Sequence, residues 1–371
     1  MEWQKLPCSS SELNLSITLA AGQSFRWRPM KNGCWIGVIG DQVWMLKQDE
    51  SFLFYKVLPP SDGLKHGEKK KRKMDHEGRD TEETKAESGD GLQDKDYETI
   101  LSNYFRLDQF LSTLYCDWCE RDQYFSQLGS SLQGVRMLRQ DPVETLFAFI
   151  CSSNNNISRI SQMVIRLCEN YGKEIGSVEG ITYYSFPSIK TLCAADVEQN
   201  LRTLGFGYRA KFIVRTAGKL YEKHGEKCES WLMSLRKQPY ESVRSELIKF
   251  PGVGRKVADC VALMSLDKLE AVPVDTHIFQ IAAKHYIPSL KQKKSVSDST
   301  YDKIGKVFRE LWGSYAGWAQ AVIFCSELKH LQSLTANTNI HNTDRSKINN
   351  PVETKETGDY VTKRKRKLDQ L

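Results

Sequence analysis

The run Phe250-Pro251-Gly252-Val253-Gly254-Arg255-Lys256-Val257-Ala258-Asp259-Cys260 constrains this chain more than any other part of it. An amphipathic stretch, Ser242 to Ile248, leads into a Pro-Gly-x-Gly turn, and a second apolar run opens directly behind it. Glycine takes positive φ readily and carries no side chain, so the N–H groups of Gly252, Val253 and Gly254 can approach an anion closely. The second helix begins where those N–H groups point, and its N-terminus favours negative charge. The pattern predicts a helix-hairpin-helix that grips nucleic-acid phosphate without reading bases. Nineteen residues past Lys256 stands Asp275, within Pro273-Val274-Asp275-Thr276-His277, an acid at the start of another apolar run.

The 371 residues suffice for two or three domains and a sizeable core. A formal net charge of +7 suits a polyanionic partner without proving one. No stretch approaches ~18 uninterrupted apolar residues, so no membrane partner is expected. Met1-Glu2-Trp3-Gln4-Lys5 lacks the basic-then-apolar layout of a secretory signal, and the ten scattered cysteines are expected to stay reduced. Cys116-Asp117-Trp118-Cys119 is the only C-x-x-C, with no second pair at zinc-site spacing.

The expected fold class is α+β, in three parts. Residues 1–120 form an N-terminal antiparallel sheet domain interrupted by a charged insertion at about 61–96. Residues 121–333 form a helical domain, and 334–371 a disordered basic tail. Gln23–Arg28, Cys34–Ile39, Val43–Leu46 and Phe52–Tyr55 are short, aromatic or β-branched and read as the strands of a meander. Lys31-Asn32-Gly33 and Gly40-Asp41 fit the tight turns between them. The insertion carries Lys69-Lys70-Lys71-Arg72-Lys73 and then an acidic stretch, and has too few apolar residues to order itself. The tail ends in Lys363-Arg364-Lys365-Arg366-Lys367. Two basic runs in such segments predict import into the nucleus; a mitochondrial isoform is not readable. Apolar residues recur at helical spacing in Pro142–Ile150, Ile160–Tyr171, Ala194–Leu204, Phe212–Glu222, Tyr240–Phe250, Val257–Leu266, Thr276–His285 and Ala316–Leu328.

A lysine in the hairpin followed at this spacing by Asp275 resembles the bifunctional, lyase-competent branch of the helix-hairpin-helix DNA glycosylase superfamily. A sheet domain ahead of the helical one resembles, within that superfamily, the 8-oxoguanine DNA glycosylases of eukaryotic type. The resemblance covers roughly residues 1–58 and 97–333. It implies a monomer that excises 8-oxoguanine paired with cytosine from double-stranded DNA and then nicks the strand. It implies no required cofactor: iron–sulfur members carry four closely spaced cysteines after the catalytic acid, and here only Cys325 lies beyond Asp275. Whether a structural cation bridges hairpin carbonyls and DNA phosphate is left open.

An amine that attacks C1′ must be deprotonated, and burial and the positive end of a helix both disfavour the charged form of a lysine. Lys256, at a helix start, meets both requirements; without its companion it would equally be a surface lysine touching phosphate. Asp275 occupies a good N-cap position and by resemblance also shuttles protons and steadies charge on the sugar. The resemblance gives His277 a phosphate contact, together with the hairpin residues Gly252, Val253 and Gly254. In Asn154-Asn155-Asn156-Ile157-Ser158-Arg159 and Gly205-Phe206-Gly207-Tyr208-Arg209-Ala210 it assigns Asn154, Arg159 and Arg209 to the orphaned cytosine and Tyr208 to a wedge in the base stack. For the lesion pocket it assigns Gly22, whose carbonyl would accept the N7 proton that guanine lacks. Gln320 would read the Watson–Crick edge, Phe324 would stack on the base, Cys260 would pack on the opposite face, and Phe149 would complete the wall. Two rivals stay open: a glycosylase for another damaged base, and a non-catalytic DNA-binding module.

Overall fold

The structure, a computed structural model, describes residues 2–58, 90–293, 295–328 and 331, with backbone alone at 90–95. The expected tail and most of the charged insertion, with both basic runs, lie outside these residues. The end of the insertion is corrected: from Asp90 onward the chain belongs to a helix.

Alternating apolar residues build the N-terminal sheet. Its strands are β1 (Gln4–Pro7), β2 (Arg28–Pro29), β3 (Trp35–Ile39), β4 (Gln42–Gln48) and β5 (Phe52–Val57), antiparallel in the order β1-β5-β4-β3-β2. Val38 pairs with Val43 across the hairpin at Gly40, whose φ is 59°, and Leu46 pairs with Tyr55 across the turn at Asp49–Ser51, where the Asp49 carboxylate accepts the Ser51 and Phe52 N–H groups. The period-2 pattern sends Trp44, Leu46, Leu53 and Tyr55 to one face, where they meet Leu101, Tyr104 and Phe105. Ile36, Val38 and Val43 cover the other face with Ile175 and Tyr183. Those two residues come from a second antiparallel pair, β6 (Glu174–Val178) and β7 (Ile181–Tyr184), which the helical reading of 97–333 does not include.

The expected strand Gln23–Arg28 is also corrected, since only Arg28–Pro29 pairs with a neighbour. Gly22 turns the chain at φ 75°. The Gln23 side chain then donates to the Arg136 carbonyl at 2.8 Å and accepts the Leu138 N–H at 3.0 Å. Phe25 goes into the helical core and Trp27 into the sheet core, so the segment stitches the two cores together.

The helices are α1 (Leu15–Ala20), α2 (Asp90–Phe105), α3 (Leu111–Arg121), α4 (Gln123–Gly129) and α5 (Pro142–Ile150). There follow α6 (Ile157–Tyr171), α7 (Ile189–Leu192), α8 (Val197–Thr203), α9 (Arg209–His224) and α10 (Cys228–Ser234). The last are α11 (Tyr240–Ile248), α12 (Arg255–Ser265), α13 (Thr276–Ile281), α14 (Asp298–Trp312) and α15 (Ala316–Cys325). The eight expected helical runs coincide with α5, α6, α8, α9, α11, α12, α13 and α15, with ends displaced by a few residues. The α13 run tightens no further than Ile281 and continues as a π-helical turn, Ala282–Tyr286.

At the centre lies α5, buried from Pro142 to Ile150 except for the half-buried Glu144. Asp141 caps it by accepting the N–H groups of Val143 and Glu144 at 2.8 and 2.9 Å, and Pro142 fits the first helical position. Against α5 pack α12 and α9, and α15 closes the far side of the same core. The hairpin and the helix behind it are therefore mounted on the most deeply buried part of the molecule.

Candidate active site

The hairpin joins α11 to α12. Gly252 has φ 79°, and a Cβ there would lie 2.6 Å from Cγ of Phe212 on α9, so only glycine lets the turn sit against that helix. Thr216, also on α9, donates its hydroxyl to the Pro251 carbonyl at 2.8 Å, while Val253 is buried beneath the turn. Among the described residues the N–H groups of Gly252, Gly254, Arg255 and Lys256 make no hydrogen bond within the protein, nor do the carbonyls of Gly252 and Val253. Gly254 caps α12 without a side chain and is exposed. The result is an outward-facing row of donors at a helix N-terminus, the arrangement that binds anions.

Lys256 is the second residue of α12, and the half-buried side chain turns inward from the hairpin. Its Nζ lies 3.3 Å from the Ser152 hydroxyl and 5.0 Å from the centre of the Phe149 ring. Phe149 is itself held edge-to-face by Phe25 at 5.5 Å. Arg255, the neighbouring cation, is turned away: its guanidinium pairs with Asp302 at 2.7 Å and Asp298 at 3.2 Å, both on α14. Asp275 caps α13, with Oδ1 accepting the Ile278 N–H at 2.9 Å and Oδ2 left over. His277 is exposed on the same helix, its ring edge-on to Phe324 at 6.0 Å.

Lys256, Asp275, Gly22, Cys260, Gln320, Phe324 and Phe149 line one cavity of about 70 Å³. They come from the turn after α1, from α5, α12 and α15, and from the segment ahead of α13. Gln320 is 4% exposed, yet its amide makes no hydrogen bond among the described residues. The Gly22 carbonyl likewise accepts none. Both groups face the cavity without a partner, so they suit the edge of a ligand. Burial pushes the Cys260 thiol up to about 11 against the opposing pull of Lys256, so it lines the wall as a neutral group. A groove of about 950 Å³ continues outward past Lys256 and Asp275, along Ser152 to Ser158, Gly254 and His277.

The remaining candidates gather at one end of that groove. Asn154 adopts φ 47° and is exposed, as is Arg159, whose Nη2 lies 3.4 Å from the Gly205 carbonyl. Arg209 is only 4% exposed, and its guanidinium donates to the carbonyls of Ser153 and of Asn154, the latter at 3.0 Å. Tyr208 is 49% exposed, donates to the Ser153 carbonyl at 3.0 Å and lies under the Arg209 guanidinium. Arg209 therefore spans the two loops and holds the asparagine loop in shape. Ser152, Ile157, Met264, Pro273 and Ile278 belong to the site as well and carry no motif of their own. Ser152 had one available signal, its place two residues before the asparagine turn.

A hairpin presenting a row of free N–H donors, a lysine in the first turn of the helix behind it, an acid capping the next helix and a cavity between them are the arrangement of a helix-hairpin-helix DNA glycosylase. The comparisons agree in both halves. Residues 5–146 match the 8-oxoguanine DNA glycosylase N-terminal domain, and residues 147–306 the HhH-GPD superfamily of base excision DNA repair proteins. An N-glycosylase/DNA lyase of Saccharomyces cerevisiae is 39% identical, over 87% of this chain and 86% of its own. The N-glycosylase/DNA lyase OGG1 of Arabidopsis thaliana is 35% identical, over 90% of this chain and 82% of its own. The Clostridium acetobutylicum 8-oxoguanine glycosylase/lyase, in complex with double-stranded DNA containing cytosine opposite 8-oxoguanine, superposes with a TM-score of 0.66 at 26% identity. That match covers 88% of this chain and 98% of the clostridial one. The chain belongs to the eukaryotic-type 8-oxoguanine DNA glycosylase/lyase family, and it is a DNA N-glycosylase and lyase.

Proposed function

We propose that this enzyme excises 8-oxoguanine paired with cytosine through a Schiff base on Lys256 and nicks the strand by β-elimination. One observation carries the reading: the Lys256 amine, the Asp275 carboxylate and two unpaired polar groups, the Gln320 amide and the Gly22 carbonyl, line a single cavity. The neutral amine attacks C1′ as the bond to N9 breaks, and the departing base takes up a proton. Asp275, with one oxygen committed to its cap, offers the other to the positive charge that develops on the sugar. The amine proton passes to O4′ as the C1′–O4′ bond opens, which gives the Schiff base, the proton on the departed base having come from solvent. Removal of a C2′ proton then expels the 3′ phosphate.

Selectivity follows from donors and acceptors. The lesion carries N7–H, which the Gly22 carbonyl accepts; guanine presents a lone pair there and is repelled. Gln320 pairs with the Watson–Crick edge, Phe324 and the neutral Cys260 flank the base, and Phe149 backs the sugar. Extruding a base costs a few kcal/mol of unstacking, which Tyr208 and the asparagine loop offset by filling the gap. Asn154, Arg159 and Arg209 meet the cytosine left behind, the pairing present in the clostridial complex. Phosphate contacts fall to the hairpin N–H groups and His277. The unpaired carbonyls of Gly252 and Val253 are the oxygen donors a hard cation takes, so those two residues would hold one against DNA phosphate. The chemistry uses only an amine and a carboxylate of one chain, so we infer a monomer that needs no cofactor for it; the basic runs Lys69–Lys73 and Lys363–Lys367 support action in the nucleus.

A panel of duplexes tests the substrate. Release should be fastest from 8-oxoguanine opposite cytosine, slower opposite adenine, and negligible from undamaged guanine. Faster release of an alkylated purine or an oxidised pyrimidine would overturn the assignment.

A further inference from the structure

Lys256 and Asp275 arrive at the cavity on separate pieces of chain, so their spacing depends on what ties α12 to the segment ahead of α13. That segment, Val272, Pro273 and Val274, is buried. Pro273 has no N–H, and among the described residues the Val272 N–H and the carbonyls of Pro273 and Val274 make no hydrogen bond. One group anchors the backbone here, the hydroxyl of Tyr301 on α14. It accepts the Val274 N–H at 3.2 Å and stands 3.3 Å from the Val272 carbonyl. Buried peptide groups are nearly always paired, so a single anchor over three residues carries unusual weight.

The same hydroxyl donates to Oδ2 of Asp259 at 2.6 Å. Asp259 is fully buried on α12, three residues after Lys256 and one turn along the helix. Its other oxygen accepts the Tyr240 hydroxyl at 2.8 Å, with Nε of Arg244 at 3.5 Å. A hydroxyl has one proton. Asp259 takes it, which leaves the Tyr301 oxygen as an acceptor facing Val274. Burial raises the Asp259 carboxyl to about 6, so near neutral pH it is the carboxylate that receives this proton.

The geometry points to Tyr301 and Asp259 as positioning residues that fix Asp275 relative to the Lys256 amine. The inference rests on the reaction proposed above for those two groups. Neither residue lines the small cavity, although Tyr301 borders the wider groove; both act through Asp275, which lines the two.

Tyr301→Phe keeps the ring and removes the tie. Single-turnover excision, measured in the cold far below unfolding, should slow about 10- to 100-fold, because errors near 1 Å in reacting groups cost that much. Affinity for a duplex bearing an unreactive lesion analogue should change less than about threefold. In an Asp275→Asn background the same substitution should add less than about twofold, since residues acting as a unit are not additive. Asp259→Asn should reproduce the slowing. Wild-type rates in both Tyr301→Phe and Asp259→Asn, or equal slowing by Tyr301→Phe in both backgrounds, would overturn the inference. Lys256→Gln separates this from failure of the underlying reaction: if it still excises the base, the reaction assigned to Lys256 is wrong.

Discussion

Gly317→Ala probes the wall of the proposed lesion pocket with a single methyl group. Gly317 is the second residue of α15, the helix that carries Gln320 and Phe324, and donates its N–H to the Leu269 carbonyl at 2.8 Å. A Cβ there would lie 2.0 Å from the Ala271 carbonyl oxygen, 2.7 Å from Cδ1 of Leu263 and 2.9 Å from the Leu269 oxygen. Carbon–oxygen contacts are comfortable from about 3.3 Å, so α15 and the 269–271 backbone must part by about 1 Å. The interior is close-packed and two of the three obstacles are backbone, so overpacking should cost about 1–3 kcal/mol of stability. Because 269–271 leads directly to Asp275, the displacement opens the cavity between Gln320 and the acid. Excision of 8-oxoguanine under single-turnover conditions should then fall about 100-fold. Nicking of a preformed abasic site needs the lysine but no base pocket, and should fall less than about tenfold. Full excision activity in the folded variant would refute the packing argument. Equal loss of both activities would show that the disturbance reached Lys256.

Asp259 predicts a pH effect on stability. Burial raises its carboxyl from 3.8 to about 6, so the folded protein holds this proton more tightly than the unfolded chain does. The contribution favours folding below about pH 4 and is lost as pH rises through 6; at about 1.4 kcal/mol per pH unit it amounts to about 3 kcal/mol. The unfolding free energy of wild type minus that of Asp259→Asn should fall by this amount between pH 4 and 7 in urea melts, and a flat difference would refute it. Arg209→Ala should lower stability by about 1–3 kcal/mol, because it strips the donor from the Ser153 and Asn154 carbonyls. Arg159→His, at an exposed position, should leave stability nearly unchanged. Both should narrow the preference for cytosine over adenine opposite the lesion, and unchanged ratios would place that reading elsewhere. Deleting residues 63–88 should leave excision and melting temperature nearly unaltered, whereas removing both basic runs should reduce nuclear accumulation; unaltered distribution would refute the import role.

The local features of the site were legible because they are short and punctuated. Two glycines, a lysine and an acid at a fixed interval specify a hairpin and the start of a helix, and α12 and α13 begin within a residue or two of where the spacing places them. Gln23–Arg28 misled because alternating bulky residues also describe a segment that feeds two cores in turn. β6 and β7 lie inside a helical stretch and take their partners from the far face of the N-terminal sheet, contacts that no local period records. Arg209 illustrates a different limit. Its motif points to DNA, but only the fold brings the guanidinium onto the carbonyls of a loop more than fifty residues earlier. Asp259 and Tyr301 were invisible for the same reason, since a buried acid within an apolar helix signals that a partner exists without saying which one.

The most direct test of the account is borohydride reduction during turnover, followed by peptide mapping of the trapped protein–DNA adduct. The account predicts an adduct on Lys256 with duplex carrying 8-oxoguanine opposite cytosine, and none with Lys256→Gln although that variant still binds the duplex. An adduct on another lysine, or base release by Lys256→Gln, would contradict it.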